Sequence, residues 1–240
     1  TRKSKIHPML SDLKLAVRHL ARTPGFAAVA ILTLALGLGA CTTVFSWIER
    51  VLLNPLPGVV DAGRVVAIET RGPSGALIDT SFPDFRDVRA QAKSFSHLLV
   101  FKERPLTLGA GEHAARVWDE MVSSDFFTAL GVQPRLGRFF GPADRVDEAA
   151  AGPVAIISES LWRRQFAADP AVLGRTIQLN RHDFTVVGVA PAAFLGSLNG
   201  LAFDVWVPIG AHSALTGPSR WLETRGWRSL HTLGRLAPGV

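Results

Sequence analysis

The sequence predicts an α+β fold that follows a single membrane-crossing helix. Three observations carry this reading. Residues 26–48, FAAVAILTLALGLGACTTVFSWI, form a run of 23 residues without a charge. Further along, short β-branched apolar runs such as 154–157 and 185–189 alternate with segments of helical spacing. Glycine and proline punctuate those segments, and no repeat with a period of about 20–50 residues is visible. With 48% hydrophobic and 19% charged residues, the chain has enough apolar surface to exclude a disordered or collagen-like class.

The elements follow in order. Residues 1–25 carry six basic groups (Arg2, Lys3, Lys5, Lys14, Arg18, Arg22) against Asp12 alone, a net +5. Leu10, Leu13, Val17 and Leu20 share one helical face, and Lys14, Arg18 and Arg22 form a basic stripe on another. Such a segment beside a membrane span is expected to lie in the lipid interface. At about 1.5 Å per residue, the helix 26–48 is long enough for a hydrocarbon core of roughly 30 Å. Pro24 suits a helix start, and Trp47 suits the far interface. The basic flank places the N-terminus in the cytoplasm and residues from about 50 onward outside. Thr33, Gly37 and Cys41 recur every four positions, as do Ala35 and Gly39, a spacing that lets a second membrane helix approach closely. Leu38-Gly39-Ala40-Cys41 is similar to the site where bacterial lipoproteins are cut and acylated. Apolar residues continue through Val44, Phe45, Trp47 and Ile48, so an unmodified Cys41 is expected. The apolar stretch exceeds the h-region of a cleaved signal peptide.

Beyond the span, strands are expected at 64–69, 100–108, 114–122, 154–157 and 205–207, with a hairpin of 176–179 and 184–189 around Asn180. Helices are expected at 84–93 behind a Ser81 cap, at 123–130 before Gly131, and at 159–167 before Asp169-Pro170. A second uncharged run, 184–203, contains Pro191 and several glycines and is rejected as a span.

Chemistry is sparse in this sequence. One cysteine excludes an internal disulfide and a cysteine-based zinc cluster. No phosphate-binding loop, nucleophile elbow or HExxH helix occurs, so neither ATP hydrolysis nor another enzymatic activity is expected of this chain, and no cofactor is. The seven histidines show no ligand spacing. Asp144, Asp147 and Glu148 read as a solvated loop, and Arg163-Arg164 as a solvated helix face. Residues 26–240 hold twenty basic and nineteen acidic groups, a near-neutral balance that argues against nucleic acid as a partner.

Several phrases in fixed order carry a family likeness: SFPDFRD at 81–87, VSSDFFTALGV at 122–132, LGRFF at 136–140, VAIISESLWRRQF at 154–166, LGRTI at 173–177, FTVVGVAP at 184–191 and DVWVP at 204–208. Together they resemble the MacB-type periplasmic core domain of FtsX-like ABC permeases, in the branch of duplicated orphan permeases. The resemblance implies a two-lobed extracytoplasmic domain, one lobe strand-rich and one of βαβ character, at 49–240. It further implies a bacterial inner-membrane location, a cytoplasmic ATP-binding subunit, a second permease half or copy, and an envelope partner in efflux or a related process. Family members continue beyond a phrase like LGRLAPGV at 233–240, so the chain is expected to be an N-terminal piece. The alternative is a single-span or lipid-anchored domain that binds or senses envelope partners.

Overall fold

The computed structural model describes residues 22–48, 56–72, 74–111, 114–149, 151–217 and 220–240. The contacts divide the chain into two units, 1–54 and 55–240. Lys14, Arg18 and the amphipathic segment up to residue 21 lie outside the described residues.

In the first unit, helix α1 (Pro24–Ile48) contains the expected apolar run, and its residues 24–46 are long and apolar enough to cross a membrane. Phe26, Leu36 and Phe45 are 71%, 77% and 66% exposed, which suits a helix whose solvent is lipid rather than water. Thr42 and Thr43 donate their hydroxyls to the carbonyls of Leu38 and Gly39 at 2.7 and 2.8 Å, and Thr33 does the same to Val29. Each hydroxyl is thereby satisfied within the helix.

The second unit runs β1 (Val65–Ile68), β2 (Thr70–Arg71), β3 (Leu77–Ile78), α2 (Phe82–Gln91), β4 (Phe95–Leu108), β5 (Ala115–Val122), α3 (Phe126–Leu130), β6 (Leu136–Gly137), β7 (Val154–Ser158), α4 (Glu159–Phe166), β8 (Thr176–Leu179), β9 (His182–Ala190), β10 (Val205–Pro208), α5 (His212–Thr216) and β11 (His231–Leu236). The α+β class holds. Local chemistry explains the helix starts: Ser81 accepts from Asp84 N at 3.2 Å and Ser158 from Leu161 N at 3.0 Å. Gly131, at φ +67°, ends α3 as expected. Asn180 and Arg181, at φ +49° and +70°, make the two-residue turn of the β8–β9 hairpin.

One mixed sheet organises the unit, in the order β1-β11-β4-β5-β10-β7-β9-β6, while β2 pairs with β3 alone. The strand-rich part (β1, β11, β4, β5) and the βαβ part (β7, α4, β9) join through β10, which is parallel to β5 and antiparallel to β7. Strand β8 pairs with β9 and also meets β4 at Leu108–Leu179, so six strands close into a ring. Asn180 reinforces the closure: its N–H donates to Thr107 O, and its Oδ1 accepts from Thr107 N, each at 2.9 Å.

Strand alternation sends residues to two separate apolar clusters. Leu98, Val100, Val117, Met121, Val186 and Val205 enter one. Leu99, Phe101, Val122, Ile156, Phe194 and Trp206 enter the other. Glycines permit one close approach: β6 pairs Gly137 with Gly188 on β9, and a Cβ at Gly188 would stand 2.1 Å from Arg138 O.

One expectation is corrected. The acidic loop is not merely solvated. Asp144 is buried and takes both guanidinium arms of Arg138, at 2.6 and 2.9 Å, plus Gly141 N at 2.7 Å. Asp147 accepts from Arg89 of α2 and from Ser124, so the loop ties separate segments together. Arg163 and Arg164 do lie on an exposed helix face, where they pair with Glu159 and Asp204.

Candidate functional site

Two polar features stand out in the sheet unit: a pair of buried acids in β5, and an open groove beside β11. They meet at Ser197, which hydrogen-bonds one acid and lines the groove.

The acids are Asp119 and Glu120, both fully buried. Being adjacent in a strand, they point to opposite faces of the sheet. Glu120 shares its face with Val122 and Trp206. Its Oε2 accepts from Trp206 Nε1 at 2.7 Å, and its Oε1 accepts from both Ser197 N (3.2 Å) and Ser197 Oγ. Burial pushes its pKa up to about 7; the Ser197 and Trp206 donors oppose that rise, and the neighbouring Asp119 charge adds to it. Glu120 thus fixes the segment that follows Gly196 (φ +107°). A Cβ at Gly196 would lie 2.1 Å from the Phe203 ring, so the loop is clamped from both sides.

Asp119 faces the other way and accepts from Arg104 Nε at 3.1 Å. Burial again pushes its pKa up to about 7, against the opposing pull of Arg104. Nearby, His212 stacks on Trp221 with ring centroids 4.2 Å apart. Its pKa is lowered to about 4, first by burial and then by the charges of Arg104 and Lys102.

The groove has a volume of about 550 Å3. The sheet contributes Phe101, His231 and Leu233, the β1 end contributes Ile68 and Glu69, the segment after β2 contributes Leu77 and Asp79, and the clamped loop contributes Ser197 and Leu198. His231 lies against the Phe101 ring at 5.2 Å, with Nε2 3.2 Å from Glu103 Oε2 and Nδ1 3.9 Å from Asp79 Oδ1. Among the described residues, no group of three or more His, Cys, Asp or Glu side chains is placed to hold a metal ion.

The residues singled out from the sequence lie elsewhere. Thr33, Ala35, Gly37, Gly39 and Cys41 are all exposed on α1, and a Cβ at Gly37 or Gly39 would meet nothing within 4 Å. Arg22 is exposed; Lys14 and Arg18 lie outside the described residues. The buried acids escaped sequence reasoning. Their one signal was two adjacent carboxylates inside the apolar strand VWDEMV, residues 117–122.

The comparisons with known proteins agree on the fold. The periplasmic region of MacB from Actinobacillus actinomycetemcomitans superposes with a TM-score of 0.56 at 16% identity, covering 75% of this chain and 79% of that one. The extracellular domain of the noncanonic ABC-type transporter YknZ, from Gram-positive bacteria, gives a TM-score of 0.53 at 13% identity, covering 72% of this chain and 84% of that one. No curated protein matches the chain. The model of the MacB-like periplasmic core domain matches residues 27–240, from the start of the apolar helix through β11 and onward. The chain belongs to the MacB-like periplasmic core domain family of ABC-transporter permeases.

Proposed function

We propose that this chain forms part of an ABC-type permease in a bacterial inner membrane, with its N-terminus in the cytoplasm and the sheet unit outside. ATP hydrolysis by a separate cytoplasmic subunit moves the membrane helices. The outer domain passes that motion to an efflux or envelope process, working with a second permease half or copy and an envelope partner. The chain itself makes and breaks no bonds in this reading.

The observation that carries the proposal is the reach of the family match, 27–240, which takes in both the apolar helix and the sheet unit. The build of the sheet unit supports it. A ring of strands closed by the β4–β8 pairing, filled on both faces by packed side chains, resists bending, and a part that transmits force needs such stiffness.

The test is purification of the membrane-embedded protein from its own cells. An ATP-binding subunit should co-purify, and ATP turnover should change the reactivity of a thiol engineered in the outer domain. Recovery of the chain without any nucleotide-binding partner, with thiol reactivity indifferent to ATP, would overturn the proposal.

A further inference from the structure

We infer that the groove beside β11 binds small ligands that join an apolar body to one positively charged amine. Its volume of about 550 Å3 falls in the range of small-molecule sites, roughly 300–1,000 Å3. Phe101, Leu77, Leu198 and Leu233 offer apolar surface to the ligand body.

The charge inside the groove departs from that of the domain. Residues 26–240 are almost neutral, yet Glu69 and Asp79 line the groove and, among the described residues, no lysine or arginine does. Glu69 forms no ion pair among the described residues, and Asp79 has only His231, at 3.9 Å. His231 is itself shared with Glu103 at 3.2 Å. Asp79 and Glu103 flank the one imidazole, and Glu69 lines the same groove, so acidic side chains outnumber basic ones there.

Glu69 and Asp79 are exposed at the groove's edge, so they favour an ammonium and repel an anion with the modest strength of surface charges. A neutral ligand of the same shape gains only the apolar contribution. The clamp of Glu120 on Ser197 holds the loop wall in place, so the groove exists before a ligand arrives. This assignment does not depend on ATP-driven motion of the domain.

Three probes of one shape separate the contributions: 4-phenylbutylamine, 4-phenylbutanol and 4-phenylbutanoate. They are titrated by saturation-transfer NMR against the chain in nanodiscs of zwitterionic lipid, with empty nanodiscs as the blank. The amine should bind saturably and about two- to fivefold more tightly than the alcohol, the scale of an exposed ion pair, and the carboxylate should not bind. The exposed double substitution Glu69→Gln, Asp79→Asn should weaken the amine to the affinity of the alcohol and leave the alcohol unchanged. Leu198→Arg, which adds bulk and positive charge to the wall, should abolish amine binding while circular dichroism stays unchanged. Equal uptake of the amine by empty nanodiscs, equal affinity for amine and alcohol, or indifference to the double substitution would each overturn the assignment.

Discussion

Val186→Asp should abolish cooperative folding of the sheet unit, whereas Val187→Asp should leave it folded. The two valines are neighbours in β9, but they enter different surroundings. Val186 is fully buried, with Phe184, Ala155 and Ile177 in the same apolar cluster. Val187 is half-buried, and it is the extra residue at a register shift: Ala155 pairs with Val186 and Ile156 with Gly188. An aspartate at 186 would have to lose its water with no cation among the residues of that cluster, at a cost of several kcal/mol. A typical domain has only about 5–15 kcal/mol of stability to lose. Val186→Ala, which only leaves a cavity, should cost about 2 kcal/mol. Urea unfolding followed by tryptophan fluorescence reads all three variants. A cooperative transition for Val186→Asp at the unsubstituted midpoint would show that the cluster is not a packed core.

The second large effect is a pH dependence held in Glu120. Its pKa in the folded protein is about 7, against an ordinary value of 4.5, because burial disfavours its charge. Below about pH 4 the carboxyl is protonated in both folded and unfolded chains, and stability does not change with pH on its account. Between 4.5 and 7 the folded protein keeps a proton that the unfolded chain has released, so stability falls as pH rises through that window, by about 3 kcal/mol in total. Asp119, also raised to about 7, contributes with the same sign. His212 contributes with the opposite sign between about 4 and 6.5, because its folded pKa is lowered and the unfolded chain is the one that binds the proton.

The Glu120 contribution is therefore the difference between the unsubstituted protein and Glu120→Gln. That difference should favour the unsubstituted protein by about 3 kcal/mol more at pH 4.5 than at pH 8. Glutamine keeps the shape and an acceptor for Ser197, so the variant should fold. Parallel stability curves for the two proteins from pH 4.5 to 8 would remove Glu120 as the titrating group.

These two residues also show where sequence reasoning reaches and where it stops. Strands β7, β8, β9 and β10 were legible because β-branched runs sit between turn residues, and the Ser81 cap announced its helix, whereas the Ser158 cap emerged only in the structure. Strand β11 was not legible. His231–Leu236 reads HTLGRL, with glycine, arginine and histidine, and only its position between β1 and β4 makes it a strand. The same pairing extends β4 back to Phe95, five residues before the apolar run that suggested it. Apolarity alone placed Val186 and Val187 in one buried strand, but the bulge separates their environments.

Asp119 and Glu120 were hidden for a related reason. Alternation would send one of them to water if only one face of the sheet were covered. Here apolar clusters cover both faces and bury both acids. The groove draws Glu69 and Asp79, on either side of the β2–β3 pair, together with the distant Ser197 and His231, so no local spacing could announce it.

The proposed permease role requires the sheet unit to lie across the membrane from the basic N-terminal segment. Ala110, exposed in the turn between β4 and β5, reports this directly once Cys41→Ser has removed the native thiol. A membrane-impermeant maleimide applied to intact spheroplasts should label Ala110→Cys fully, and a cysteine at Lys3 only after the membrane is opened. The reverse pattern, with Ala110→Cys protected until permeabilisation, would place the sheet unit in the cytoplasm and overturn the proposed topology.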